Sequence, residues 1–251
     1  MDSRSFASLR MTAAAAVDFI LPRTCVSCER LLDSSERGLV CGRCWNRIAP
    51  LPAPRCDRCG HPMQRKRCTW CALLPPYVRA CRSVCWMHAG TGAAVVHALK
   101  YGGWHAVAAE MAERMARLAW PEDVVEERTA LVAVPLAESR ERERGFNQSE
   151  RLAHALASRW RVPVWRDVLE RTRATRTQTR LTPEERLANV SGAFRVQHAA
   201  RPTVRNAHVV LVDDVVTTAA TLNACAAALL AGGARIVSYV TFGRAPAIGD
   251  R

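Results

Sequence analysis

The chain has 251 residues, 49% of them apolar, enough for one substantial α/β domain plus a small appendage. No apolar run reaches the roughly 20 residues that cross a bilayer, which excludes insertion through a membrane helix. The formal charge is +13, carried almost wholly by arginine, with Lys66 and Lys100 the lysines, and this excess predicts a polyanionic partner or substrate.

In chain order, the segment from Met1 to Leu21 has an Ala-rich apolar centre interrupted by Asp18, and no small-residue cleavage site precedes Pro22. Residues 1–23 read as an amphipathic helix packing on the next domain, not as a signal peptide. Nothing points to export, so the cytoplasm is the expected compartment.

Residues 24–74 form a second unit. Eight of the eleven cysteines fall into C-x-x-C pairs: Cys25/Cys28, Cys41/Cys44, Cys56/Cys59 and Cys68/Cys71. Each pair can offer two thiolates to one metal, and two pairs complete a tetrahedron. Gly42 within one knuckle and Gly60 after another suit tight turns. The donors predict about two structural zinc ions, closed by four sulfurs each. Sequential pairing is simplest, and interleaved pairing stays open. A disulfide framework would need an oxidising compartment. Each tetrathiolate site carries about −2, which brings the net charge to roughly +9. Cys81, Cys85 and Cys225 show no ligand spacing, and Cys225 reads as a small buried hydrophobe. Trp45, Trp70 and Trp104 suit either core packing or, if exposed, base stacking.

A boundary is expected near Pro75, with residues 75–251 as the main domain. Ser83–Met87 reads as a strand, and Gly92–Lys100 as a helix ended by Tyr101-Gly102-Gly103. A further helix runs through Met111 and Met115 to Trp120, stopped by Pro121 and the acidic run around Glu122–Glu127. Leu131–Leu136 is a buried strand. A charged loop comes next, from Glu138 to Arg144, then Gly145-Phe146-Asn147-Gln148-Ser149 and a helix through Glu150–Trp160. This loop lies at a strand's C-terminal end, where open α/β sheets bind ligands. Arg144 and Asn147 admit two readings, a ligand-side role or a structural cap and turn. Arg171, Arg173, Arg176 and Arg180 then put four positive charges in ten residues, with no acid before Glu184. They form either a phosphate-closing arm or a solvated basic loop.

The densest signal is Val209–Leu222. Four apolar residues run into Asp213 and Asp214, then into Val215-Val216-Thr217-Thr218-Ala219-Ala220-Thr221. It reads as buried strand, small-residue loop and a helix over Ala224–Leu230 with Thr217 or Thr218 as N-cap. Backbone N–H groups and the helix dipole converge there on an anion. The paired acids suit hydroxyl donors or a metal beside it, as a sugar phosphate would offer.

This segment resembles the phosphoribosyl-diphosphate (PRPP) motif of type I phosphoribosyltransferases. The resemblance implies that Asp213 and Asp214 hold the ribose hydroxyls while Val216, Thr217, Thr218, Ala219, Ala220 and Thr221 enclose the 5′-phosphate, with Mg²⁺ on the diphosphate. The family pattern has glycine where this chain has Ala219. Arg144-Gly145-Phe146-Asn147-Gln148, Arg176-Thr177-Gln178 with Leu181, Glu185-Arg186 and Asn189–Phe194 are similar to motifs of the ComF family. With the zinc knuckles and Leu99-Lys100-Tyr101, that resemblance spans nearly the whole chain. It implies a parallel α/β sheet of type I phosphoribosyltransferase form flanked by helices and preceded by a double zinc ribbon. Arg144, with Asp213 and Asp214, would be catalytic, and Arg144, Asn147, Gln148, Arg176, Gln178 and Arg186 would face pyrophosphate. It implies a link to DNA uptake in natural transformation, with single-stranded DNA and other competence proteins as partners. Three activities stay open: a phosphoribosyltransferase, a DNA-binding accessory protein, and a PRPP sensor without turnover. No residue stands out as activating an acceptor.

Overall fold

The computed structural model describes residues 23–33, 35, 36, 38–63, 68–88, 90–103, 106–173, 185 and 189–246. The N-terminal helix reading, Trp104, and the arm residues Arg176, Gln178, Arg180 and Arg186 lie outside them.

A four-stranded parallel sheet organises the chain, in the order β1-β6-β5-β2. Its strands are β1 (Val78–Trp86), β2 (Arg128–Ala133), β5 (His208–Val216) and β6 (Ile236–Arg244). A two-stranded antiparallel ribbon pairs β3 (Leu169–Arg171) with β4 (Phe194–Val196). Alternation in β5 sends Val209 and Leu211 to one core and Val210 and Val212 to the other, so both faces are covered. On one face lies α8 (Ala220–Ala231), whose alanines bring it close to the sheet. On the other, α3 (Val107–Ala116) and α6 (Gln148–Trp160) pack together, with Met111, Met115, Leu152 and Leu156 fully buried.

The remaining helices are α1 (Gly42–Arg47), α2 (Thr91–Tyr101), α4 (Glu122–Glu127), α5 (Glu138–Arg144) and α7 (Arg201–Val204). Two of them replace expected breaks. The acidic run is α4, with Glu122 and Asp123 in its first turn, where the helix dipole favours them. The charged loop is α5, which Arg142 and Glu138 support one turn apart at 3.3 Å and Gly145 ends in the left-handed conformation.

Strand β5 also runs further than its apolar start suggests. Asp213 and Asp214 lie within it, in register with β6 as far as Val216 opposite Arg244. Strand β6, central to the sheet, has no counterpart in the sequence reading. It carries buried Ser238, Thr241 and Arg244 among its apolar residues, which masks its pattern.

The knuckles sit on opposite faces. Cys25, Cys41, Cys44 and Trp45 join the core under α3, and Cys59 and Trp70 join the core under α8. Trp45 and Trp70 are thus core residues and offer no exposed face for base stacking. Glu110 of α3 fastens the first ribbon, accepting from Leu39 N at 2.8 Å and Trp45 Nε1 at 2.9 Å. Among the described residues no helix is long and apolar enough to cross a membrane.

Candidate ligand cleft and metal centres

An open cleft of about 350 Å³ lies at the C-terminal ends of β2 and β5, lined by Lys100, Gln148, Ser149, Arg171, Asp213, Asp214 and the start of α8. The two carboxylates differ. Asp214 is buried, 4% exposed, and its Oδ2 meets Lys100 Nζ at 2.6 Å. Burial works against the Lys100 charge, but the Asp214 carboxylate outweighs it and holds the ammonium above its ordinary range. Asp213 Oδ1 accepts from Ser149 Oγ at 2.8 Å and from Asp214 N at 2.9 Å. Burial and then the charge of Asp214 push Asp213 up to about 7, against the pull of those two donors. A proton at Asp213 is therefore loosely held near neutrality. Further hydrogen-bond donors or a cation beside Asp213 would favour its ionised form.

Beyond the carboxylates, Val216, Thr217, Ala219, Ala220 and Thr221 line the cleft beside the α8 N-terminus, where backbone N–H groups lack helical partners. The expected threonine cap is absent. The N-cap is Ala219, at φ 59°, ψ 6°, with no side-chain hydrogen bond, so helix α8 begins at Ala220. A left-handed residue turns the chain sharply enough to wrap the loop around the cleft. Thr218 Oγ1 is buried without a hydrogen-bond partner.

Asn147 adopts the structural role. Its Oδ1 caps α6 by accepting from Ser149 N at 3.0 Å, and its Nδ2 donates to Val134 O at 3.0 Å. It thereby sets Ser149 against Asp213. Arg144 stands at the end of α5, donating to Gln148 Oε1 at 2.8 Å and Tyr101 Oη at 3.0 Å. Gln148 lines the cleft, and Arg171 lines it from the start of the arm. Among the polar residues lining the cleft, Lys100 and Ser149 were not singled out for the site, and Arg171 was singled out only as the head of the basic arm. Lys100 and Arg171 had signals, a lysine in an arginine-rich chain and the head of the basic run, whereas Ser149 had none.

The cysteines group sequentially, as Cys25/Cys28/Cys41/Cys44 and Cys56/Cys59/Cys68/Cys71, each set of sulfurs within 4.8 Å of one another. This excludes the interleaved pairing. Sulfurs on a tetrahedral Zn²⁺ at about 2.3 Å stand about 3.8 Å apart. Cys28 and Cys41 are 3.8 Å apart, Cys56 and Cys71 3.4 Å, and Cys59 and Cys68 3.3 Å. Cys41 Sγ accepts from Cys44 N at 3.4 Å, and Cys25 Sγ from Cys41 N at 3.3 Å. The donor sets fit two structural zinc ions. Gly60 is required here, at φ 65°, because a β-carbon would lie 2.7 Å from the Cys81 carbonyl. Cys81, Cys85 and Cys225 are buried and belong to neither set.

Comparison with known proteins agrees with both halves. Residues 16–85 match the double zinc ribbon domain, and residues 143–248 the phosphoribosyl transferase domain. The chain is 33% identical over 227 residues to the DNA utilization protein YhgH of Escherichia coli K12, covering 86% of this chain and 95% of that protein. The chain belongs to the ComF/YhgH family. YhgH of Salmonella typhimurium is equally similar, 33% identical over 229 residues with the same coverage. Competence protein F of Haemophilus influenzae is 37% identical over 95 residues, 38% of this chain and 41% of that protein. As a ComF/YhgH-type molecule, the chain combines a phosphoribosyltransferase-type sheet with a ribbon of two four-cysteine sites.

Proposed function

We propose that the cleft binds PRPP with Mg²⁺, and that the protein serves DNA use in the cytoplasm. One observation carries the reading: Asp213, Asp214 and Lys100 converge beside the 216–221 loop at the N-terminus of α8. Asp213 and Asp214 take the ribose hydroxyls, and Val216, Thr217, Thr218, Ala219, Ala220 and Thr221 enclose the 5′-phosphate. Arg144 and Gln148, with Arg176, Gln178 and Arg186 of the arm, face the pyrophosphate, and Asn147 sets the turn that presents them. Guanidinium suits that task because its fork pairs two phosphate oxygens at once. Mg²⁺ would neutralise the diphosphate.

The relatives named for DNA utilization and competence support a role in DNA handling. The net positive charge supports single-stranded DNA as the polyanionic partner. Calorimetry with PRPP and Mg²⁺ tests the cleft: binding to the wild type and none to Asp213→Ala is expected, and equal affinity would overturn the ribose assignment. The ionised Asp213 carboxylate accepts hydroxyls on both oxygens, so a ribose favours it over the protonated form. Binding near pH 6 should therefore release protons, seen as a buffer-dependent heat, with affinity rising toward pH 8. Pyrophosphate release assayed against free bases and single-stranded DNA separates transfer from binding alone.

A further inference from the structure

The second four-cysteine centre rests against a cation that has no carboxylate partner among the described residues. Arg244, at the C-terminal end of β6, is 0% exposed. Its Nη2 donates to the carbonyl of Cys59 at 2.6 Å and to Cys81 Sγ at 3.3 Å, and its Nε to Ser83 Oγ at 3.4 Å. The guanidinium carbon stands 4.1 Å from the Trp70 ring centroid. Nη1 is buried and has no acceptor. Among the described residues, no carboxylate pairs with it. Arg82, from the neighbouring strand, reaches the same knuckle, donating to Asp57 O at 2.7 Å and Arg58 O at 3.2 Å.

An arginine keeps its charge when buried, and a charge taken out of water without a partner is strongly unfavourable. Four thiolates on one Zn²⁺ leave about −2 at the adjacent knuckles. A zinc-loaded centre would supply the negative charge that Arg244 lacks among the described carboxylates. Arg244 is also placed to transmit its state. It lies opposite Val216 in the β5–β6 register, and Ala245 N donates to Val216 O at 2.8 Å, where the 216–221 loop begins. We propose that Arg244 is the counter-charge of the Cys56/Cys59/Cys68/Cys71 zinc centre and couples its occupancy to the start of the 216–221 loop. The second ribbon is then an electrostatic part of the sheet and not an autonomous module.

The full chain tests this through a double-mutant cycle of Arg244→Met against the paired Cys68→Ser/Cys71→Ser. In the zinc-loaded wild type, Arg244→Met should lower the thermal midpoint. In the cysteine variant, which removes the dianion, it should raise the midpoint, because it deletes a buried cation without a partner. A loss of the same size in both backgrounds would mean that Arg244 only packs and donates hydrogen bonds, and would overturn the proposal. Should the cysteine variant fail to fold, zinc release to a chromogenic chelator decides on single variants. Arg244→Met should speed release of one of the two zinc ions at least tenfold and leave the other, at the first centre, unchanged. Arg244→Lys, which keeps the charge but not the fork, should fall between. Unchanged release, or equal acceleration at both centres, refutes the counter-charge role. Amide exchange at 216–221 should quicken in Arg244→Met while that of Cys25–Cys44 does not, and unaltered exchange refutes the coupling. No arm uses PRPP, so a failure of the ligand reading leaves these results standing.

Discussion

At the residue scale, Asp213 and Ala219 each hold a conformation or charge that the fold alone does not favour. A carboxyl raised to about 7 binds its proton more tightly folded than unfolded. Its stability contribution is complete below about pH 4 and is lost as the pH rises through 7. Asp213→Asn, which resembles the protonated form and keeps an oxygen for Ser149, should therefore be about 2–4 kcal/mol more stable than the wild type at pH 8. That advantage should vanish by pH 4 in urea titrations, while PRPP binding is lost throughout. Ala219 sits at φ 59°, where a β-carbon costs about 1–2 kcal/mol. Glycine relieves that strain but adds about 0.4–1 kcal/mol of unfolded-state entropy. Ala219→Gly should gain about 0.5–1 kcal/mol, read as a higher urea midpoint at constant slope.

At the scale of elements, β5 and β6 are held by polar pairs within an apolar sheet. His208 Nε2 and Ser238 Oγ lie 2.9 Å apart, and burial takes the imidazole down to about 4. An imidazole depressed below its unfolded value of about 6.5 stabilises the fold above that pH, and the contribution is lost as the pH falls through 6.5 toward 4. Asp213 titrates in the opposite sense over an overlapping range, so the wild-type curve alone conceals both. The difference between the wild type and His208→Gln isolates the histidine: the wild type should lose about 3 kcal/mol relative to the variant between pH 7 and 4. A pH-independent difference would mean that His208 does not titrate in the folded sheet. Helix α6 shows the same economy of means, since its Asn147 cap also sets Ser149 against Asp213.

For the whole molecule, the two ribbons clasp opposite faces of one sheet, each giving a buried tryptophan to a different core. Stripping the metal should therefore unfold more than the knuckles. Chelation is expected to lower the thermal midpoint of the entire chain by about 10 °C or more, as a loss of several kcal/mol does for a chain of this length. A separate low-temperature transition, with the main one unmoved, would show the ribbons to be independent.

Cysteine spacing and the Asp213–Thr221 segment declare themselves in sequence because each is a local device: a metal knuckle or a strand-loop-helix turn needs only neighbouring residues of the right type. The same locality makes a cap one of the two readings of Asn147, beside the pyrophosphate-facing role that the family resemblance implies. Strand β6 was illegible because Ser238, Thr241 and Arg244 break its apolar pattern, and their side chains find partners on β5, β1 and the second ribbon. Lys100 and Ser149 reach the carboxylates from helices remote in the chain, so their roles exist only once the sheet has assembled. By itself, the sequence determined which residues could bind metal and anion. Which cysteines share an ion, which side chains meet Asp213 and Asp214, and which charge Arg244 faces were decided by packing, because burial and distance set those energies and neither is written along the chain.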